Sequence, residues 1–217
     1  MIFSVVQADI TNLAVDAIVI PANKKLKEGF GTSNAIFEKA GREELTVACK
    51  ALGSCELGEA VPTPAFNLDA DWIVHAVVPK WIDGEHQEYD NLSAAYLSAL
   101  NVADILQCET IAFPLMGAGY NGFDAELAFE IAKLSIESFE AKNLKNVILV
   151  VYKDRITELV RNAGIPVLDL QWLASNRKKK KVTQVGAEVE KIASAAYNWL
   201  IDKGNLEKFS TQELPLH

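Results

Sequence analysis

Cysteine is scarce in this 217-residue chain, which has three: Cys49, Cys55 and Cys108. An odd count without C-x-x-C spacing builds neither a disulfide framework nor a zinc site, so reduced thiols are expected. Histidine is equally scarce, at His75, His86 and His217. No histidine-rich metal centre can be assembled, and neither metal nor cofactor is expected. His75 lies inside an apolar run and reads as a satisfied core residue. No apolar stretch reaches the roughly 18 to 20 residues that a membrane helix needs. Met1-Ile2-Phe3-Ser4 lacks the basic start of a secretory leader. A cytoplasmic protein with no membrane partner is expected.

Basic side chains are the minority, 21 Lys and Arg against 29 Asp and Glu, a net charge of -8. Residues 176–217 carry 8 basic and 5 acidic groups; residues 1–175 carry 13 and 24. An acidic body does not suit a non-specific nucleic-acid binder, which needs a basic face. An anionic ligand of this body must be held mainly by backbone N–H groups and helix N-termini. What the chain does have is an ordinary globular composition, 50% apolar and 23% charged, long enough for one domain and an extension.

Strand and helix patterns alternate. Residues 1–7 and 17–20 read as short strands, and 33–41 and 43–52 as helices. Trp72 to Val78 is a near-continuous apolar run, as in a strand buried on both faces. Residues 91–106 form a helix with Leu92, Ala95, Tyr96, Ala99, Leu100, Ala103 and Leu106 on one stripe. A strand at 110–115, a helix at 125–141, a strand at 146–151, a helix at 156–162 and a last strand at 166–170 follow. This alternation predicts a three-layer α/β/α fold with a mixed sheet, with ligands at the carboxyl ends of the strands. At Asn176 the composition shifts to the run Arg177 to Lys181, then to apolar positions Val185, Val189, Ile192, Ala196, Trp199 and Leu200 at helical spacing. Residues 1–175 are therefore one domain. Residues 176–217 are a basic linker and an amphipathic helix that packs on the body or on a second copy of the chain.

Gly117-Ala118-Gly119-Tyr120-Asn121-Gly122 spells G-x-G-x-x-G between a strand and a helix. A dinucleotide fingerprint belongs in the first strand-helix turn and needs an acid about 20 residues on. Here more than a hundred residues precede it, and position 142 is Lys142. The segment reads instead as a phosphate-cradling loop. Glu28 to Ile36 is a second glycine-bearing segment leading into a helix, so two loops can clamp a diphosphate from both sides.

These segments together resemble the macro domain, a family that binds ADP-ribose. Gln7-Ala8-Asp9-Ile10-Thr11 is similar to G-D-I-T, and Val15 to Asn23 to V-D-A-I-V-N-A-A-N. Gly29-Phe30-Gly31 with Ala35-Ile36 matches part of G-G-G-V-x-x-A-I. Cys55 to Ala60 matches C-x-x-G-x-A. Ile73 to Trp81 follows I-I-H-A-V-G-P-x-W, and Ile111 to Pro114 with Gly119 to Phe123 follows I-A-F-P-x-x-x-x-G-I-Y-G-F. The matches run in order over about residues 1–155.

The resemblance implies roles. Asp9 accepts the adenine amino group and Ile10 supplies backbone to the same pocket; Asp9 is also a candidate N-cap. Ala22 and Asn23 face the distal ribose, with Asn23 alternatively a turn residue. Gly29, Phe30, Gly31, Thr32 and Ser33 form one phosphate loop. Gly117, Ala118, Gly119, Tyr120, Asn121, Gly122 and Phe123 form the other. Tyr152 is the candidate for stacking on adenine. Tyr120 and Asn121 stand where the family has Ile-Tyr: either Tyr120 covers the distal ribose from one position away, or that cover is lost.

The sequence departs from the family around the distal ribose. Ile20 replaces the first asparagine of N-A-A-N, Pro21 follows it, Phe30 replaces a glycine and Val78 another. Family hydrolases position a water there, which needs polar groups. The polar candidates here are Asn23, Ser33, Asn34 and Asp124, the last also a helix N-cap. Three functions follow: a module that binds ADP-ribose or a derivative; a hydrolase acting on an ADP-ribosyl ester, O-acetyl-ADP-ribose or ADP-ribose 1″-phosphate; or an assembly domain with a vestigial pocket.

Overall fold

The computed structural model describes residues 1–168 except 153, 163 and 166. Its elements in chain order are β1 (Ile2–Gln7), a 3-10 turn (Ile10–Asn12), β2 (Ala17–Ala22), α1 (Thr32–Ala40), α2 (Arg42–Leu52), β3 (Ala60–Pro64), β4 (Trp72–Val77), α3 (Glu88–Ile105), β5 (Thr110–Pro114), α4 (Ala125–Ser138), β6 (Asn146–Val151), α5 (Asp154–Asn162) and β7 (Val167–Leu168). The strands make one sheet in the order β3-β4-β2-β5-β6-β1-β7. β3 runs antiparallel to β4, and the other pairs are parallel, so the sheet is mixed as expected.

Successive residues of a strand point to opposite faces. Ile18 with Val19, Ile73 with Val74, and Ile148 with Leu149 are all fully buried. Both faces are therefore covered, which is why these strands read as unbroken apolar runs. The largest buried side chains, Tyr96, Phe37, Phe113 and Phe129, fill the layers between sheet and helices.

The sequence reading has no strand between 53 and 71, yet β3 lies there. Its Ala-Val-Pro-Thr-Pro sequence carries two prolines, which an interior strand does not tolerate. β3 is an edge strand bonded to β4 alone, so the missing N–H groups face no partner. Two helix limits also differ from expectation. α3 starts at Glu88, three residues before the predicted Asn91, and α4 ends at Ser138, three before the predicted Ala141. Beyond α4 the Asp104 carboxylate accepts the N–H groups of Lys142, Asn143 and Leu144, turning the chain sharply into β6. Of the predicted strand at 166–170, Val167–Leu168 is a strand. The basic run 177–181 and the helical extension at 176–217 lie outside the described residues. Among the described residues no helix is long and apolar enough to cross a membrane.

β2 holds a proline although it lies between two neighbours. It pairs with β4 along its full length, but with β5 only at Ala17 and Ile18. By Pro21 the two strands have parted, so the absent N–H costs no bond on the β5 side. This splay opens the sheet at its carboxyl edge.

Candidate functional site

A cleft of about 420 Å³ occupies that opening. One wall is Pro21 to Asn23 at the end of β2, followed by the first glycine loop, Glu28 to Ser33. The other wall comes from Pro114, Leu115, Gly117 and Gly119 to Asn121 after β5, with Val78 and Lys80 from the end of β4. The site thus sits beyond the carboxyl ends of parallel strands, where open α/β sheets place ligands.

Both loops present backbone donors. Gly31 is the N-cap of α1, and no side chain caps the helix N-terminus. Among the described residues, no protein acceptor takes the N–H of Gly31 or Thr32, or those of Ala118, Gly119 and Tyr120. Unpaired N–H groups at a helix start, together with the helix dipole, favour an anion. The second loop is rigidly founded. The Tyr96 hydroxyl accepts from Met116 N–H at 2.9 Å and donates to the Pro114 carbonyl at 3.5 Å. The loop then closes through Gly122 N–H to the Gly119 carbonyl and Phe123 N–H to the Gly117 carbonyl. Gly117 sits at φ +88, where a Cβ would meet Leu92 at 3.0 Å and Phe123 at 3.1 Å, so only glycine fits. Around Gly119 there is open space, which lets a ligand reach the backbone.

The predicted ligand residues fall into three groups. Ala22, Asn23, Gly29, Phe30, Gly31, Thr32, Ser33, Gly117, Gly119, Tyr120 and Asn121 line the cleft. Asp9 and Ile10 follow β1, and Tyr152 follows β6, along the same carboxyl edge; β6 is one strand beyond β5 and β1 is two. Asp9 caps the 3-10 turn through Oδ1, which accepts from both the N–H and the hydroxyl of Thr11. Oδ2 has no protein donor among the described residues. Ile10 is buried, whereas Tyr152 is 81% exposed. Ala118, Gly122 and Phe123 of the second loop do not line the cleft; Phe123 is buried and packs edge-on against Trp81, ring centroids 5.2 Å apart, as part of the loop's foundation.

The polar quartet offered for catalysis is engaged in local structure. Asn23 accepts from the N–H groups of Lys25 and Lys27 and donates to the Lys27 carbonyl, closing the 23–27 turn. The buried Ser33 hydroxyl accepts from Gly29 N–H at 2.9 Å. Asn34 donates to Glu28, outside the cleft lining. Asp124 caps α4 by accepting from Glu126 and Leu127 N–H, and it does not line the cleft.

Several site features were not read from the sequence. Phe30 and Tyr120, one from each glycine loop, meet with ring centroids 5.0 Å apart, while each stays about 70% exposed. Both rings line the cleft. Asn121, beside Tyr120, donates to the Pro79 carbonyl at 2.6 Å and accepts from Trp81 N–H, tethering the second loop to the segment after β4. Lys80 adds a side-chain cation to a site expected to rely mainly on backbone. The signal lay in the sequence as Pro79-Lys80-Trp81, but only the fold brings it to the cleft.

Two other clusters are structural. His75 is fully buried, with Nε2 2.9 Å from the Thr63 hydroxyl and 3.9 Å from the Cys49 thiol. Burial pushes its pKa down to about 3 and that of Cys49 up to about 12, so both are neutral core groups. Asp83, His86 and Glu88 bring ligand-type atoms within 4.8 Å of one another. Glu88, however, accepts the N–H groups of Ile82, Asp83, Gly84 and His86. Desolvation opposes its ionisation, yet these bonds hold its pKa down to about 2, so the carboxylate is a clasp for the loop after Trp81.

Comparison with known proteins agrees with this geometry. The family model described as Macro domain matches residues 19–132, from β2 into α4. A macro domain-containing protein of Chlorobaculum tepidum is 38% identical over 160 residues, covering 73% of this chain and 92% of the relative. An O-acetyl-ADP-ribose deacetylase of Escherichia fergusonii is 44% identical over 139 residues, covering 62% and 78%. Among solved structures, a variant of the Oceanobacillus iheyensis macrodomain with ADPR superposes with a TM-score of 0.69 at 26% identity, covering 79% of this chain and 93% of that one. The ordered motifs, the sheet that opens at Pro21 and a relative matched almost end to end have one explanation: the chain belongs to the macro domain family.

Proposed function

We propose that this chain binds ADP-ribose or a close derivative in the cleft. The observation that carries the reading is the pair of glycine loops facing each other across it, each with N–H groups that no described protein group accepts. A diphosphate supplies the missing acceptors, and the surrounding acidic chain needs no cluster of cations to hold it. Asp9 then receives the adenine amino group on its free Oδ2, Ile10 backs the pocket, and the exposed Tyr152 ring offers a stacking surface. Ala22, Asn23, Phe30 and Tyr120 surround the distal ribose.

A second reading is hydrolysis at the distal ribose, favoured by the relative named O-acetyl-ADP-ribose deacetylase. Against it, Asn23, Ser33, Asn34 and Asp124 all have protein partners, which leaves poor means of orienting a water. Calorimetric titration with ADP-ribose, and with AMP and NAD as comparisons, tests the primary reading. Micromolar ADP-ribose binding, with AMP much weaker, is expected. Asp9→Ala should weaken it by about 1.5 to 3 kcal/mol, the worth of a charged hydrogen bond. No binding by the parent protein refutes the reading and leaves the assembly domain with a vestigial pocket. Incubation with O-acetyl-ADP-ribose, followed by chromatography, separates binder from hydrolase: turnover that Asn23→Ala abolishes in a folded protein establishes the second.

A further inference from the structure

The cleft is lined by two charged side chains, Glu28 and Lys80. Glu28 is neutralised. Its carboxylate accepts from Arg42 Nε at 3.0 and 3.1 Å and from Asn34 Nδ2 at 2.7 Å. Lys80 pairs with no carboxylate among the described residues. Its ammonium instead lies 5.2 Å from the centroid of the Tyr120 ring, and Tyr120 in turn rests against Phe30. An unpaired positive charge thus stands in the cleft of a chain whose net charge is -8. It is held there by an aromatic face, which restrains a lysine without neutralising it.

Its place along the sheet says which part of a ligand it meets. Lys80 follows β4, whereas Asp9 follows β1, and β2, β5 and β6 lie between them. At about 4.8 Å per strand the two ends of the row are roughly 19 Å apart. With the adenine at Asp9 and the diphosphate between the glycine loops, Lys80 faces the terminus of the distal sugar. This step rests on the ADP-ribose reading.

We propose that Lys80 is a specificity-determining residue that selects ligands carrying negative charge on the distal sugar, with Tyr120 and Phe30 as its positioning residues. A phosphate monoester or a carboxylate there completes a charge pair beside two aromatic rings, where water is partly displaced and the attraction exceeds that of an open surface pair. A neutral substituent, such as an acetyl ester, finds no counterpart. Phe30, which replaces a family glycine, then has a use: it backs the ring that carries the cation.

The test compares two probes, ADP-ribose and ADP-ribose 1″-phosphate, by calorimetry with the full chain, with phosphorus NMR confirming that the phosphate stays intact. The parent should bind the phosphate about tenfold more tightly, an advantage that shrinks as salt is raised. Lys80→Met should abolish that ratio, with a loss about tenfold larger for the 1″-phosphate than for ADP-ribose, and Lys80→Arg should restore it. Tyr120→Leu should reduce the ratio as well as overall affinity, since it frees the ammonium. Equal losses for both probes in Lys80→Met would place Lys80 on the shared diphosphate and overturn the proposal. A parent without preference overturns it too. A parent that binds neither probe refutes the ADP-ribose reading itself.

Discussion

Tyr96→Phe removes one oxygen from the middle of the molecule, and its consequence should reach the cleft. Tyr96 lies on α3, is fully buried, and keeps its ring against Phe113 at a centroid distance of 5.2 Å. The phenylalanine ring fills the same space, so no cavity of consequence forms. What is lost is the acceptor for Met116 N–H at 2.9 Å. The 3.5 Å contact to the Pro114 carbonyl is long and contributes little. Met116 is itself fully buried, so its N–H is left without water or partner. An unsatisfied buried donor costs about 1 to 3 kcal/mol. For a domain of this size each kcal/mol moves Tm by about 2 to 4 °C, which gives a fall of roughly 2 to 12 °C. Met116 also opens the second glycine loop, and Pro114 and Leu115 line the cleft. Loosening this foundation should weaken ADP-ribose binding in the same variant. Urea unfolding gives the stability change, and calorimetric titration gives the affinity. A stability loss with unchanged affinity would refute the claim that α3 sets the loop's position. No stability loss would refute the accounting of the buried bond.

Two further predictions concern groups outside the cleft. Asp124→Ala should cost about 1 kcal/mol of stability as a lost N-cap while leaving ADP-ribose affinity unchanged; urea unfolding and titration read the two effects separately. His75, with a folded pKa of about 3 against 6.5, takes up a proton in the unfolded chain first. Stability is therefore full above pH 6.5 and falls as the pH drops below it, by about 2 kcal/mol at pH 5. The lowered pKa values of Asp83 and Glu88 act in more acidic solution, because these carboxylates ordinarily titrate at 3.8 and 4.5. His86, whose pKa is raised by Asp83, works in the opposite direction over the same range, so the readout is the comparison: the loss of stability between pH 7 and pH 5 should be larger for the parent than for a folded His75→Gln variant, and an equal pH dependence in both would refute the assignment.

The parts of the molecule legible in the sequence are those whose physics is local. The strands with both faces covered announce themselves as apolar runs, and Asp9 and Asp124 sit where short polar side chains cap the turns that follow. β3 was hidden because its two prolines mimic a loop, and only its edge position makes them harmless. The termini of α3 and α4 were misplaced because Glu88 and Asp104 organise the neighbouring loops through backbone N–H groups that no periodicity reveals. The site divides the same way. Each glycine loop is a contiguous motif whose glycines and following helix can be read along the chain. The distal end is not: Phe30, Lys80 and Tyr120 lie far apart in sequence and carry no shared pattern. They meet because the sheet order puts β4 beside β2 and β5 on its other side, and because the parallel register brings their carboxyl ends to one edge. The departures from the family at Phe30 and Val78, read one position at a time, look like the loss of a distal pocket. Placed by the sheet, Phe30 acquires Tyr120 as a partner, and Tyr120 a cation. The Phe30 substitution thus places a second ring beside Tyr120 and Lys80 at that end of the cleft.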